Sequence, residues 1–276
     1  MPTWKLSGFA DEIDTNPDVQ LAVLKGLGAN HVEVRSAWET NVIDLSADQL
    51  AEFKDYLAKY EMGVSAIGSP IGKVDIDLPP EHELERLDRA INAAKTLGTG
   101  NIRMFSFYYP GKSRDQVRNA VVLRLKALTE RASENGITLL HENEKDIYGD
   151  TGAACAEILQ AVDHPNFRAA FDPANFVQVG DKPYTEAWPL VQPWVDYLQV
   201  KDARFADQEV TASGDGDGEV AEIVQALVDR RYAGFASMEP HLAQYTSSGG
   251  FSGAAEFGRA TRAFRKIAED QGVTFE

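Results

Sequence analysis

Polar side chains mark the ends of four strands that the sequence predicts beyond residue 137. Glu142 ends the segment LLHE, Asp172 ends AAFD, Gln199 lies in YLQVKDA, and Glu239 follows ASM. Neighbouring parallel strands end at the same edge of a sheet, so three carboxylates and one amide would converge there. Repulsion between such carboxylates is relieved by protons or by a cation. Four oxygen ligands suit a divalent ion, and the residue types therefore predict a metal site.

The prediction depends on convergence, because a single polar residue at a strand end usually just enters solvent. The segment YLQVKDA supports it from another direction. Strands buried on both faces read as near-continuous apolar runs, whereas here Gln199 and Lys201 alternate with Leu198 and Val200. One face of this strand is therefore polar, and we expect that face to line a site.

Short apolar segments alternate with amphipathic helical patterns along the whole chain. A pattern such as 46–63 has the start and stop signals of a helix. The connection between the sixth and seventh strands is the least regular, since Pro183, Pro189 and Pro193 interrupt it. The alternation predicts one domain, residues 1–276, folded as a (β/α)8 TIM barrel. The predicted strands are residues 4–10, 31–36, 63–69, 101–107, 137–143, 167–172, 195–201 and 234–240.

An open doubly wound sheet is the alternative architecture. Such a sheet usually carries a glycine-rich dinucleotide-binding turn after its first strand. The segment SGFADEI, which follows the first strand here, lacks the G-x-G-x-x-G spacing. The closed barrel is therefore the preferred prediction.

Composition excludes several classes of function. The 276 residues are 43% hydrophobic and carry a net charge of −16, which allows a sizeable core but leaves no basic footprint for nucleic acid or an anionic membrane. No apolar run is long enough to span a bilayer, and the N-terminus has no signal-peptide core. The single cysteine, Cys155, can form no intrachain disulfide. A cytoplasmic protein is expected.

Eight motifs are spread over essentially the whole chain: VEVRSAW, VSAIGSPIGK, IRMFSFY, LLHENEKDIYGDT, FDPANF, YLQVKDA, SGDGDG and GFASMEPHL. In these motifs the sequence resembles the sugar phosphate isomerase/epimerase family, the xylose isomerase-like TIM barrels. Members hold one divalent metal with Glu, Asp, His and Glu from strands five to eight. The resemblance implies the ligands Glu142, Asp172, Gln199 and Glu239, with Gln199 in the place of the histidine in the family motif H-x-K-D.

Glutamine at position 199 changes the metal that the site would prefer. Zinc favours nitrogen and sulfur donors, whereas an all-oxygen site favours Mg²⁺ or Mn²⁺. Glutamine does not titrate, so only the carboxylates would make metal affinity depend on pH, and no step is expected near pH 6–7, roughly the imidazole range. The alternative is that a water, and not Gln199, completes the metal shell.

The resemblance also implies the chemistry. The metal would hold the ketone oxygen and neighbouring hydroxyl of a sugar, and a proton would leave the adjacent carbon to give a metal-bound enediolate. Glu142 and Glu239 would flank the substrate, one removing the proton and the other returning it. Return to the opposite face gives an epimer, and return to the adjacent carbon gives an isomer. Loss of a β-leaving group would instead make the enzyme a lyase or dehydratase on keto-sugars or keto-glycosides.

Inward-facing polar residues near these strand ends are expected to bind the substrate. Glu33 and Arg35 share one face of strand two, and they either contact the sugar or pair with each other. Lys201 either neutralises the enediolate or pairs with Glu144 or Asp202. The expected substrate-binding residues are Glu33, Arg35, Arg103, Lys201 and His241.

Two other functions fit such a barrel. By resemblance, a DNA-repair endonuclease would need a histidine-rich three-zinc site, which the five histidines and net charge of −16 disfavour. The second function is that of a non-catalytic sugar-binding homologue, in which Gln199 in place of the histidine would reflect the loss of the metal. The glycine-rich segment 213–220 follows strand seven, where barrels often bind phosphate, but Asp215 and Asp217 would repel one. The expected partner is a small uncharged sugar or glycoside. The sequence is compatible with a monomer and with a homo-oligomer.

Overall fold

The alternating sequence pattern folds into a closed barrel of parallel strands. The computed structural model describes residues 2–243 and 250–276. Each strand pairs in parallel with its neighbours, from β2 through β8 and on to β1, so the predicted (β/α)8 TIM barrel is confirmed. The barrel strands are β1 (Thr3–Gly8), β2 (His31–Val34), β3 (Gly63–Gly68), β4 (Asn101–Met104), β5 (Thr138–Glu142), β6 (Phe167–Phe171), β7 (Val195–Val200) and β8 (Phe235–Met238).

The barrel closes between β1 and β2, at a junction that we term the seam. Among the described residues, the ladder there consists of one bridge, between Phe9 and Glu33. On its other side β1 pairs with β8 over a longer register, in which Ser7 lies opposite Ser237. Backbone pairing is therefore weakest at the seam.

Helices surround the strands, and their ends follow the capping signals of the sequence. Ser46 and Gln49 form a capping box at the start of α2, and Gly98 ends α3 at a φ of 81°. Within the described ranges, no helix is both long and apolar enough to cross a membrane. The helices are α1 (Pro17–Gly26), α2 (Ala47–Lys59), α3 (Pro80–Leu97), α4 (Arg114–Ser133), α5 (Gly152–Val162), α6 (Pro173–Val179), α7 (Trp188–Val191), α8 (Val220–Asp229) and α9 (Gly253–Asp270).

Two apolar layers fix the depth at which the site lies. The main core fills the space between strands and helices. A separate small cluster of Ala66, Leu140, Ala170 and Tyr197 packs together among the strands. In β5 the next residue on the face of Leu140 is Glu142, and in β6 the corresponding residue after Ala170 is Asp172. The polar side chains therefore begin one layer above this apolar floor.

Strand β4 is shorter than predicted, ending at Met104 and not at residue 107. The Phe105 amide leaves the ladder and donates to the Ile71 carbonyl at 2.8 Å. Gly72 makes this close approach possible, because its φ is 84° and a Cβ there would lie 2.2 Å from the Phe105 carbonyl oxygen. The loop after β3 thus replaces the last part of the predicted strand.

The connection between β6 and β7 is broken into short pieces, as its prolines suggested. A π-helical turn over Pro183–Ala187 leads into α7, and a 3-10 turn over Gln192–Trp194 follows. Proline lacks the amide hydrogen that a continuous helix needs, which explains why no long helix forms here.

Candidate active site

Glu142, Asp172 and Glu239 form a buried acidic cluster at the carboxyl ends of the strands. Glu142 is the last residue of β5, Asp172 directly follows β6, and Glu239 directly follows β8. One carboxylate oxygen from each lies within 4.8 Å of the others. None of the three residues exposes more than 4% of its surface. The three predicted carboxylates therefore do converge.

Two asparagines hold the ends of β5 and β6 together. Asn143 Oδ1 accepts from the Asp172 amide at 2.9 Å, and Asn143 Nδ2 donates to the Asp172 carbonyl at 2.9 Å. Asp172 in turn caps α6 by accepting from the Asn175 amide at 2.9 Å. Asn175 Nδ2 donates to Glu142 Oε1 at 3.1 Å. Reciprocal contacts of this kind fix both carboxylates before any ligand arrives.

Two cations lie inside the cluster. Lys201 Nζ is 2.8 Å from Asp172 Oδ2 and 3.1 Å from Glu239 Oε2. Arg103 Nε is 3.2 Å from Glu142 Oε2. Lys201 was expected to pair with Glu144 or Asp202 if it did not serve the site; it pairs with the cluster. Glu144 pairs with Lys73 instead, and Asp202 accepts a hydrogen bond from the Gly214 amide in the loop after β7.

A second group of charges holds Glu239 from the side of β1 and β2. Arg35 Nε lies 2.8 Å from Asp11 Oδ2, and Arg35 Nη1 donates to Glu239 Oε1 at 3.0 Å. His241 Nε2 lies 3.3 Å from both Glu12 Oε1 and Glu239 Oε1. Sequence reasoning missed Asp11 and Glu12. Their signal was two adjacent acids directly after the first strand, where barrel side chains reach the rim.

The three cluster acids have different proton affinities. Burial raises the pKa of Glu142 to about 8, against the opposing charge of Arg103. Burial likewise raises the pKa of Asp172 to about 6, although Lys201 counteracts it. For Glu239, burial is outweighed by Lys201, His241 and Arg35, which hold its pKa well below the usual range. Without a bound cation, Glu142 therefore holds its proton to a higher pH than Asp172, and Asp172 holds its proton to a higher pH than Glu239.

Gln199 contacts Glu33 within the barrel. Gln199 is fully buried, and its Nε2 donates to both oxygens of Glu33, at 3.2 and 3.0 Å. The Tyr197 and Ser237 hydroxyls also donate to Glu33, at 2.8 and 2.6 Å. The pairing considered between Glu33 and Arg35 does not form, because these two side chains join different networks.

A cavity of about 240 Å³ opens above the cluster. It brings together Glu142, Glu239 and four of the five residues expected to bind substrate. Glu33, the fifth, lies outside the lining, beneath Gln199. The lining residues are Arg35, Asn41, Gly68, Ser69, Pro70, Lys73, Arg103, Phe105, Glu142, Glu144, Lys201, Glu239, His241 and Gly250.

The donor set fits a hard divalent cation. Glu142, Asp172 and Glu239 offer carboxylate oxygens close enough to share one ion. Gln199 Oε1 is buried and accepts no hydrogen bond from the described residues, and the buried Glu142 Oε2 lies 3.2 Å from Arg103 Nε in an ion pair. Buried oxygens without donors cost free energy unless a ligand satisfies them. The acidic cluster could therefore bind a metal, and these oxygens are the atoms available to it.

The glycine-rich loop after β7 is organised by one buried carboxylate. Asp202 accepts from the amides of Gly214, Gly216 and Gly218 at 2.8, 3.3 and 2.8 Å. A Cβ at Gly216 would lie 2.3 Å from Asp202 Oδ1, so the close approach requires glycine. Asp202 thus occupies these three amides, and they are not free to bind a phosphate.

Comparison with known proteins places most of the chain in one family. The model of the xylose isomerase-like TIM barrel family matches residues 21–273. A curated relative, 3-dehydroshikimate dehydratase from Bacillus anthracis, is 25% identical over 137 residues, which are 49% of each chain. The aligned part of this chain thus spans about half the length of that relative.

Solved structures share the fold at low sequence identity. A xylose isomerase-like TIM barrel protein from Mycobacterium smegmatis in complex with magnesium has a TM-score of 0.71 at 18% identity, covering 98% of this chain and 97% of that one. D-allulose 3-epimerase from Methylomonas sp. in complex with D-allulose has a TM-score of 0.75 at 16% identity, covering 97% and 98%. At these identities the likeness concerns the fold.

Proposed function

Because the chain belongs to the xylose isomerase-like TIM barrel family, we propose that it is a divalent-metal-dependent sugar isomerase or epimerase. The reaction would begin with removal of a proton from the carbon next to a keto group. The observation that carries the proposal is the convergence of Glu142, Asp172 and Glu239 under one cavity. Glu142 and Glu239 both line that cavity, so both can reach a bound substrate.

The cation would be held by Glu142, Asp172 and Glu239, with Gln199 as the fourth and least secure ligand. When bound, a divalent cation acts as a Lewis acid toward the oxygens of a keto-sugar. The oxygen-only donor set favours Mn²⁺ or Mg²⁺ over zinc.

The chain's own acids would move the proton. Glu142 ends β5 and Glu239 follows β8, so β6 and β7 separate them and they approach the cavity from different walls. Carboxyl groups on different walls can take a proton from one face of a carbon and return it to the other. Lys201 and Arg103 would stabilise negative charge that develops on the substrate oxygen.

The substrate we propose is a small sugar or glycoside without a phosphate group. The glycine-rich loop supports this, because its amides already bind Asp202. D-allulose in the Methylomonas epimerase shows that a ketose is bound by a protein of this fold.

A dehydratase is the second candidate function. It is favoured by the alignment with 3-dehydroshikimate dehydratase over 137 residues. Elimination of water beside a carbonyl begins with the same proton removal. The electron pair then breaks the bond to a β-hydroxyl group, which leaves as water by taking a proton from a carboxyl group of the cavity, Glu142 or Glu239. The same base would serve both reactions, and the substrate's leaving group decides between them.

Incubation with ketoses and 3-keto-glycosides in deuterated water with Mn²⁺ tests the proposal. Solvent deuterium at the carbon beside the keto group, together with an epimer or isomer, supports the proposed reaction. An unsaturated product with loss of water supports the dehydratase instead. Stoichiometric metal binding without exchange on any substrate contradicts this assignment. Absence of metal binding together with sugar binding identifies a non-catalytic homologue.

A further inference from the structure

Gln199 offers its two amide atoms to different surroundings. Its Nε2 donates to Glu33 at 3.0 and 3.2 Å, whereas its Oε1 is buried and accepts no hydrogen bond from the described residues. Burial raises the pKa of Glu33, and Arg103 together with the donors Ser237, Tyr197 and Gln199 counteracts it. The side of the amide that faces Glu33 is the nitrogen, which donates to both carboxyl oxygens. The oxygen is therefore turned away from Glu33.

The position of Glu33 is itself fixed by other donors. The Tyr197 hydroxyl donates to it at 2.8 Å and the Ser237 hydroxyl at 2.6 Å. Tyr197 also reaches Ser65 at 2.8 Å, and Ser65 bonds Ser7 at 2.7 Å. Glu33 is buried. The Tyr197 and Ser237 hydroxyls fix the position of its carboxylate, which lies between Tyr197 and Gln199.

The acidic cluster lies on the other side of Gln199. Along the inward face of β7 and its end, Tyr197, Gln199 and Lys201 follow one another at alternate positions. Tyr197 contacts Glu33, and Lys201 contacts the cluster through Asp172. The Gln199 nitrogen is held by Glu33 on the side of Tyr197. The Gln199 oxygen therefore points to the opposite side, where Lys201 and the acidic cluster lie.

We propose that Glu33 is a positioning residue: it holds the Gln199 amide with its oxygen toward the cluster, so that Gln199 supplies the fourth ligand to a divalent cation. This inference rests on the cation site of the proposed function. A ligating histidine commonly donates its second N–H to a carboxylate, which sets its orientation. Here the carboxylate of Glu33 performs the same task for an amide, and it selects oxygen over nitrogen. Glu33 was expected to bind substrate, and this assignment gives it a different role.

Mn²⁺ titration of the metal-free full chain tests the proposal through two variants of Glu33. Glu33→Asp keeps the negative charge but withdraws it by one methylene from Gln199. Glu33→Gln offers Gln199 either an oxygen or a nitrogen and no longer selects its orientation. Both variants should lose about ten- to a hundredfold in Mn²⁺ affinity, as loss of an orienting group at a metal site does. Asp215→Ala removes an acid whose side chain is 68% exposed and outside this network, so its Mn²⁺ affinity should stay within about threefold of the wild type.

The double variant Glu33→Asp with Gln199→Leu separates positioning from a general effect. If Glu33 acts through Gln199, its substitution should cost no further affinity once Gln199 is gone. Wild-type affinity in Glu33→Asp, or full additivity in the double variant, would overturn the proposal. Thermal unfolding of each metal-free variant identifies any that fails to fold. If one of Glu33→Asp and Glu33→Gln does not fold, the Mn²⁺ affinity of the other variant tests the proposal.

The outcome also separates this inference from the proposed function. If the wild type binds no Mn²⁺, both are wrong. If the wild type binds Mn²⁺ and catalyses deuterium exchange but Glu33→Asp binds it equally well, only the role of Glu33 is wrong.

Discussion

The ammonium group of Lys201 lies 2.8 Å from a carboxylate oxygen of Asp172, and both groups are buried. The protein thus carries its own cation inside the cluster that we propose as a metal site. Asp172 and its neighbours raise the pKa of Lys201 well above its usual range in spite of burial. The ammonium therefore stays charged at any pH at which the enzyme would work.

Lys201→Met should tighten Mn²⁺ binding. The substitution removes a positive charge within 3.1 Å of two proposed ligands, so an incoming cation no longer competes with it. We expect affinity to rise by about tenfold, and turnover to fall by about ten- to a hundredfold because a group that stabilises developing charge is lost. Calorimetric titration and deuterium exchange measure the two effects.

Lys73→Met is the matched control for that experiment. Lys73 lines the same cavity but pairs with Glu144, at 2.8 Å, outside the acidic cluster. Its Mn²⁺ affinity should change by less than about threefold. Weaker Mn²⁺ binding in Lys201→Met would show that the ammonium supports the ligands and does not compete with the metal.

Metal binding at pH 7 should release about one proton. Burial raises the pKa of Glu142 to about 8, so we expect this acid to hold a proton in the cation-free protein and to release it when the metal binds. Affinity should therefore rise by up to about tenfold per unit between pH 6 and pH 8. Residue types alone predicted no step near neutrality, and burial of Glu142 is the reason that we now expect one.

Calorimetry in two buffers of different ionisation enthalpy counts the protons released. Glu142→Gln should bind more weakly and release fewer. Equal binding enthalpies in both buffers would show that Glu142 is already ionised before the metal arrives.

Glu142→Gln and Glu239→Gln should each lower turnover by at least about a hundredfold, the usual scale for loss of a general acid or base. Each residue would serve as both ligand and proton carrier, so metal content is measured on the same samples. Assays at saturating Mn²⁺ then isolate the effect on proton transfer. Retained deuterium exchange in either variant removes that residue from the reaction.

Gln199→His should shift metal preference toward zinc and cobalt, because an imidazole nitrogen is a softer donor than an amide oxygen. The new ring would add a protonation step near pH 6–7, roughly the range of a free imidazole. Competitive titrations at several pH values compare the two proteins. An unchanged metal ranking would mean that position 199 does not coordinate.

Asp202→Ala should destabilise the protein by about 1–3 kcal/mol, since several glycine amides lose a charged acceptor. Asp202 is 1% exposed and binds Gly214, Gly216 and Gly218. Denaturant unfolding measures the loss. Asp215→Ala is the control in the same loop, because its side chain is 68% exposed, and it should change stability by less than about 0.5 kcal/mol.

The barrel and its acidic cluster were predictable because each depends on local patterns. Alternation within each strand set the face of Glu142 and Asp172, and parallel strands must end at one edge. Periodicity could not show that β4 ends at Met104, because the Ile71 carbonyl that replaces the ladder belongs to a distant loop.

The partners of the inward residues were not predictable either. Glu33 lies in β2 and Arg35 directly follows this strand, two positions along the chain, yet Glu33 binds Gln199 and Arg35 binds Asp11. Such contacts depend on side-chain reach across the closed barrel, which a single sequence does not encode in any simple pattern. The burial that raises the pKa of Glu142 has the same origin, since it arises only when all eight strands close.

At the seam between β1 and β2, side-chain contacts across the barrel interior take the place of backbone pairing. Backbone pairing there is limited to the bridge between Phe9 and Glu33 among the described residues. Side chains of β2 and of the residue after it span the interior instead: Glu33 reaches β7 through Gln199, and Arg35, directly after β2, reaches the end of β8 through Glu239. A chain with an unclosed seam would therefore retain Asp172 and Glu142 but would lose the groups that orient the other two oxygen donors. A cation that needs all four oxygen donors would bind only the closed barrel. Its binding free energy would therefore stabilise the seam, where backbone pairing is weakest.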